Sequence, residues 1–344
     1  MIKKILLTLF IIGTFLSFFL WGKYQSISSP NVPSELKNKI VEIPTNSTFP
    51  EVLNSLFKNS QLIDTVSFRE IAELMNYKKA NMRPGRFKIE PSWSNRSLIR
   101  HLRAGKQAPV KVVLNTGRFV EDIASKAAKT IEADSTDLVQ LFHNQSVINS
   151  KGFNNETLIS LFIPNTYEFF WNTNAEGFLN KMIKEHKSFW KKNSREKKAA
   201  AMNLSKEEVY TLASIVERET RANSEKPRIA GVYLNRLKKG MMLQADPTAV
   251  FATRDFTARR VLNKHINFDS PYNTYKYAGL PPGPISMASI SSIDAVLNSE
   301  NHEYIFFCAK ADNSGLHSFA KTLAGHNRNA KKFRSWLNQQ RILN

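Results

Sequence analysis

Ile5 to Trp21 is an apolar run broken only by Thr8, Gly13, Thr14 and Ser17. That is near the ~17–25 residues a helix needs to cross a bilayer. Trp21 and Tyr24 follow at the place of an interfacial aromatic belt. The stretch Ser17 to Gly22 is bulky and offers no small-x-small cleavage site. The pattern therefore predicts an uncleaved anchor, with a cleaved signal peptide as the alternative. Lys3 and Lys4 before the run predict a cytoplasmic N-terminus, with everything after Tyr24 outside. No later segment is long and apolar enough to span again.

Beyond the anchor the pattern changes. Ser26 to Asn38, rich in Ser, Pro and Asn, reads as a linker. Ile40-Val41-Glu42-Ile43 is strand-like and leads into a polar cap and an amphipathic helix near Phe49, Glu51 and Leu53. Val110 to Leu114, then Phe119, Glu121 and Ile123, repeat the arrangement. The alternative is an incidental strand-to-helix similarity. Between the copies, helical patterns cover Ser67–Asn76 and Ser94–Ala104, separated by the extended Arg83–Ile89. A strand, two helices and a returning strand have the layout of a small LysM-type carbohydrate-binding module, though an ordinary α+β domain has the same layout. After Gly105 the chain is mainly helical. Helices are predicted at 175–193, 205–221 and 226–239, the last stopped by Gly240, and Phe162–Tyr167 reads as a turn. The fold class is α+β: an anchor at 1–22, a linker at 23–39, a small LysM-like α/β module at 40–108 and a mixed α+β domain at 109–344.

Composition narrows the function. The 344 residues include 49 Lys+Arg against 29 Asp+Glu, a net charge of +20. Outside the membrane the polyanions available are lipid headgroups and cell-wall polymer, and runs such as Lys184–Lys192 suit such surfaces; a solvated helical face is the alternative. No nucleic-acid-binding module accompanies the charge, so nucleic acid is not an expected partner. The single Cys308 excludes an internal disulfide and a cysteine metal cluster. With 13 glycines and no Gly-rich phosphate loop, a nucleotide cofactor is not expected, and no other cofactor or metal is either.

Candidate chemistry concentrates in the helix that opens at Ser205. Ser205 and Glu208 form a capping box. On a helical wheel Val209, Leu212, Ala213 and Val216 share the buried face, and Glu217 lies about 80° from its centre. Such a half-buried carboxyl is expected to have a raised pKa and to serve as a proton donor; pairing with a Lys or Arg is the alternative. Glu219 lies roughly 200° further round and cannot converge with Glu217 on one bond. A second carboxylate would have to come from elsewhere, with Asp246 the best candidate, although Asp246-Pro247 also reads as the N-cap and first residue of a helix at 248–253. The loops Ser270–Tyr275 and Gly279–Ile285 interleave aromatic rings with amides and hydroxyls, which suits a sugar chain. Gln244, Asp246, Tyr272, Asn273, Tyr275, His317 and His326 are the candidate substrate-binding residues. His317 and His326 alone make a weak metal site, and Cys308 reads as core.

Leu212-Ala213-Ser214-Ile215-Val216-Glu217-Arg218-Glu219-Thr220, Val232-Tyr233-Leu234-Asn235-Arg236-Leu237, Met242–Thr248, Tyr272–Tyr275, Gly279–Ile285, His317-Ser318-Phe319 and His326-Asn327 together resemble the YceG/MltG family of endolytic murein transglycosylases. The chain departs from similar proteins at Asn165 and Gly325, where Asp and Glu are usual. The resemblance implies cleavage of the MurNAc–GlcNAc bond within nascent peptidoglycan strands, leaving 1,6-anhydro-MurNAc ends, with Glu217 as the single acid/base. It also implies a catalytic role for 109–344, an association with cell-wall synthases, a role in limiting strand length, and residence in the plasma (inner) membrane. Two other readings stay open: a hydrolytic muramidase that uses Asp246 to activate water, and a non-catalytic peptidoglycan-binding scaffold.

Overall fold

A computed structural model describes residues 2–258 and 260–340. The side chains of Lys3 and Lys4, on which the expected topology rests, lie outside the described residues, as does the last part of the expected 109–344 domain. The chain divides into two compact units, one of residues 1–112, 130–133 and 168–174, the other of 113–129, 134–167 and 175–344.

The first unit begins with α1 (Ile2–Ser28), whose apolar side chains from Ile5 to Trp21 are exposed along its length. Ile5–Ser28 is long and apolar enough to cross a membrane. There follow β1 (Ile40–Ile43), α2 (Phe49–Lys58), α3 (Thr65–Leu74), β2 (Gly85–Lys88) and α4 (Asn95–Ala104). β1 and β2 pair antiparallel, Val41 opposite Phe87. Val41, Phe87, Phe68, Ile71, Leu98 and Leu102 meet in one apolar core. Asn95 ties the end of α1 to this core by donating to the Ser26 carbonyl.

The predicted repetition is present with a shifted register. α2 starts with a capping box in which Glu51 accepts from the Thr48 N–H at 2.7 Å. In the second copy, β3 (Val110–Leu114) leads to α5 (Val120–Ala128), and Asp122, not Glu121, accepts from the Arg118 and Phe119 N–H groups. One extra residue precedes the second helix, so the gapless alignment of Glu51 with Glu121 is off by one.

The second unit continues through α6 (Ser135–His143), α7 (Gln145–Ser150), β4 (Asn165–Phe169), α8 (Ala175–Lys191), α9 (Arg195–Ala201), α10 (Lys206–Glu219), α11 (Lys226–Lys238), α12 (Asp246–Thr253), α13 (Asn263–Ile266), α14 (Ile290–Leu297), β5 (Phe306–Ala309), β6 (His317–Ala320) and α15 (Leu323–Gln339). β3 pairs with β4, and β5 with β6 antiparallel. The stretch expected to be a turn around Tyr167 is thus partly strand.

α10 is the axis of this unit. Its start is the expected capping box, with Glu208 N–H donating to Ser205 Oγ at 3.0 Å. The amphipathic reading of its interior does not hold. Every side chain from Val209 to Val216 is buried, including Tyr210, Thr211 and Ser214, which lie off the stripe of Val209, Leu212, Ala213 and Val216. Helices α9, α11, α12 and α14 surround it, and a helix enclosed on all sides has no solvent face for a wheel to find. Its polar groups are used internally. Tyr210 Oη donates to the Phe162 carbonyl, and Ser214 Oγ accepts from Ile285 N–H at 3.0 Å, which fixes the Gly279–Ile285 loop. Gly283 lets that loop pass close to the chain: a Cβ there would lie 2.0 Å from the Glu156 carbonyl oxygen.

Candidate active site

The C-terminal turn of α10 presents two glutamates to different surroundings. Glu217 points to the N-terminus of α14. Its carboxylate accepts from Lys226 Nζ at 3.0 Å, from Ser292 Oγ at 2.5 Å and from Ser289 Oγ, with the Ser289 N–H at 3.4 Å. Burial pushes this carboxyl up, but the two serine hydroxyls and the Lys226 ammonium outweigh it and hold the group below the usual glutamate range. The positive end of α14 favours the same ionised form. The raised pKa expected of Glu217 is therefore corrected, and the alternative of a paired boundary glutamate describes what it does: a carboxylate that joins α10, α11 and α14. It lines neither lobe of the cleft described below.

Glu219, the last residue of α10, turns the other way. Tyr233 Oη on α11 donates to its Oε1 at 2.6 Å. The carboxyl is half-buried and closely surrounded by protein. Burial, opposed by the Tyr233 hydrogen bond and reinforced by the charge of Asp246, pushes its pKa up to about 7. Tyr233 is itself buried and held neutral, its pKa driven far up by burial and by Glu219, so it remains a donor.

Two cavities meet at this carboxyl. One, of about 360 Å³, is lined by Arg118, Arg218, Arg260, Phe251 and Phe256. The other, of about 410 Å³, is lined by Gln244, Tyr275, Phe306, Phe307, His317 and His326. Glu219 and Asp246 line both. They form the floor of a two-lobed cleft at the point where the lobes join.

The predicted site residues divide on this geometry. Asp246 is not the N-cap of its helix. Ala245 takes that place and Asp246 is the first helical residue, with no capping bond; its carboxylate instead accepts from Tyr275 Oη. The helix start is held by Thr248 Oγ1, which bonds the Ala245 carbonyl and lies 2.7 Å from Thr274 Oγ1. Gln244 lines the second lobe from a left-handed backbone conformation (φ 50°), a strained position of the kind concentrated at binding sites. His317 receives a bidentate brace, its backbone N–H and Nδ1 each 2.9 Å from a buried Glu225 oxygen. That leaves Nε2 as the free ring nitrogen. His326 stacks on Phe306 at 5.4 Å, and burial lowers its pKa. Tyr272 packs on Phe251 at 4.9 Å, behind the first lobe.

Asn273 is corrected. It is fully buried, its amide donating to the carbonyls of His265, Ile266 and Phe268, and it closes the loop rather than facing a ligand. Cys308 is only partly buried and lines the second lobe, so it is not a core residue. Among the described residues no group of three or more His, Cys, Asp or Glu side chains could hold a metal ion.

The reading of the sequence missed Tyr233 and Glu225, and set Glu219 aside. The Val232–Leu237 motif carried the signal. Besides Tyr233, it supplies Asn235, which donates to the His302 and Tyr304 carbonyls, and Arg236, which donates to those of Ile305 and Leu243. This motif shapes the second lobe.

Residues 41–332 match the model of the YceG-like family. The chain belongs to the YceG-like family. Among relatives of this YceG-like chain, an endolytic murein transglycosylase of Bacillus subtilis is 29% identical over 340 residues, covering 94% of this chain and 91% of that protein. One from Streptococcus pneumoniae is 25% identical over 344 residues, covering 89% of this chain and 61% of its own length. A crystal structure of a yceG-like protein from Listeria monocytogenes is 28% identical, with a TM-score of 0.55, covering 84% of this chain and 97% of that one.

Proposed function

We propose that the chain is an endolytic lytic transglycosylase of peptidoglycan, with Glu219 as its acid/base. The names of its relatives support the substrate and reaction class. The observation that carries the residue assignment is the Glu219 carboxyl, raised to about 7 where two lobes of a cleft join. A strand lying through both lobes would put an internal glycosidic bond over that carboxyl. Glu219, protonated below neutrality, donates to the bridging oxygen as the bond breaks, then, as carboxylate, accepts the proton of the sugar's own C6 hydroxyl as that oxygen closes on the anomeric carbon. The nucleophile belongs to the substrate, so proximity replaces a second enzymic nucleophile. Asp246 supplies negative charge beside the developing cation and helps keep Glu219 protonated in the free enzyme. Glu217 takes no part in the chemistry.

Product analysis of digested strands by mass spectrometry tests this: 1,6-anhydro ends from wild type and none from Glu219→Gln. Reducing ends would support the muramidase reading, which the placement of Asp246 on the same floor favours as the second choice. Full cellular function of Glu219→Gln would favour the scaffold reading.

In the wider reading, α1 anchors the chain once in the plasma (inner) membrane with its N-terminus cytoplasmic and the catalytic unit outside. The strand–helix–helix–strand order of residues 40–88, β1 to β2, supports a LysM-like, glycan-holding role for that segment. Cleavage beside wall synthases then limits strand length.

A further inference from the structure

The two lobes differ in chemistry. The second offers rings, an amide and the imidazoles of His317 and His326, groups suited to neutral sugar, and its guanidinium, Arg236, is engaged by the carbonyls of Ile305, Met242 and Leu243. The first is cationic. Arg118 lies over the Phe256 ring, its guanidinium carbon 4.2 Å from the ring centroid. Arg218 donates from Nε to Ser286 Oγ at 3.2 Å, and Arg260 completes the wall. Burial and the neighbouring Arg118 charge both lower the pKa of Arg218, with Glu217 opposing. Among the described residues no carboxylate forms an ion pair with any of the three. The acids lining the lobe are Glu219 and Asp246. With Glu219 protonated for catalysis, three guanidiniums face one carboxylate that Tyr275 already engages. Like charges gathered in a concave site and outnumbering its counter-charge cost stability, and an arriving anion relieves that cost.

We propose that the Arg118–Arg218–Arg260 lobe is a binding site for an anionic substituent of the glycan strand, a carboxylate or a phosphate, which sets where along the strand cleavage falls. This rests on the transglycosylase reading of the same cleft. Planar guanidiniums bind either anion through paired hydrogen bonds. The strand carries such anions in two places: the carboxylates of its peptide stems and the pyrophosphate of a lipid-linked end.

Binding is measured on the full chain in detergent, in the Glu219→Gln background so that nothing is cleaved. The probes are intact strands, strands with peptide carboxyls methyl-esterified, and lipid-linked strands before and after removal of the pyrophosphate. Neutralising the recognised anion should weaken binding by about tenfold or more. Which modification does so identifies the source. Arg118→Gln and Arg260→Gln should erase the difference and Arg118→Lys should restore part of it. Lys187→Gln with Lys197→Gln, which removes as much charge from exposed sites elsewhere, should leave it intact. Equal binding of all probes, or a difference that survives both arginine variants, overturns the proposal. Failure of the transglycosylase reading shows separately, as wild-type chain that binds intact strands with this preference yet yields no anhydro ends.

Discussion

Replacing Glu219 and Glu217 by glutamine, one at a time, should separate catalysis from stability within a single helical turn. Glu219 has its pKa raised from 4.5 to about 7 in the folded chain. Between those values the folded state holds a proton that the unfolded state has lost, so stability falls as pH rises through this window. The full rise corresponds to about 3 kcal/mol, and about 2 kcal/mol is the better expectation because the carboxyl keeps contact with the open cleft. Glu219→Gln removes the titration while keeping an acceptor for Tyr233. It should be more stable than wild type by about that amount at pH 8, and no more stable at pH 4. Its turnover should fall by ~10²-fold or more. Glu217→Gln is the mirror image. It leaves the Lys226 ammonium, whose side chain is 5% exposed, without its counter-charge, at a cost of about 3 kcal/mol. Turnover per folded molecule should stay within a few-fold of wild type. Denaturant unfolding at the two pH values and steady-state turnover on strands provide both readings. Near-normal turnover in Glu219→Gln, or a Glu217→Gln chain that is stable and inactive, would refute the assignment.

In wild type, kcat/KM should decline as pH rises through about 7, where Glu219 loses its proton. Asp246→Asn removes one cause of that raised value and should move the declining limb to lower pH; a limb that stays in place would show that Asp246 does not act on Glu219. His186 is buried, accepts from Trp190 Nε1 at 2.9 Å, and has its pKa depressed to about 4 by burial and then by nearby lysines. Its contribution is present above pH 6.5 and is lost as pH falls. Wild type should therefore lose about 2 kcal/mol relative to His186→Gln between pH 7 and pH 5, read from unfolding curves at each pH. Gly283→Ala should destabilise by about 2 kcal/mol or more, since its Cβ meets the Glu156 carbonyl oxygen; an unchanged melting temperature would contradict the close approach.

Local chemistry was legible along the chain. The apolar run of α1, the capping box of α10 and the starts of α8 and α11 follow from neighbours a few residues apart, and the structure has them where they were expected. However, α8 and α11 end two and one residues early, and α1 runs on to Ser28, into the stretch expected to be linker. The motifs that meet in the cleft were also visible, because each concentrates rings, amides and charges that no helix or strand requires. The choice between Glu217 and Glu219 was not legible. A helical wheel knows the directions of two side chains but not what waits in each direction. Here Lys226 and the serines at the start of α14 wait on one side, and Tyr233, Asp246 and an open cleft on the other. A carboxyl's proton affinity is set by the burial and charge around it, and those surroundings come from α11, α12 and α14, residues far away in sequence. The composition of the site was thus written locally, while tertiary packing decided which glutamate stays ionised and which holds its proton.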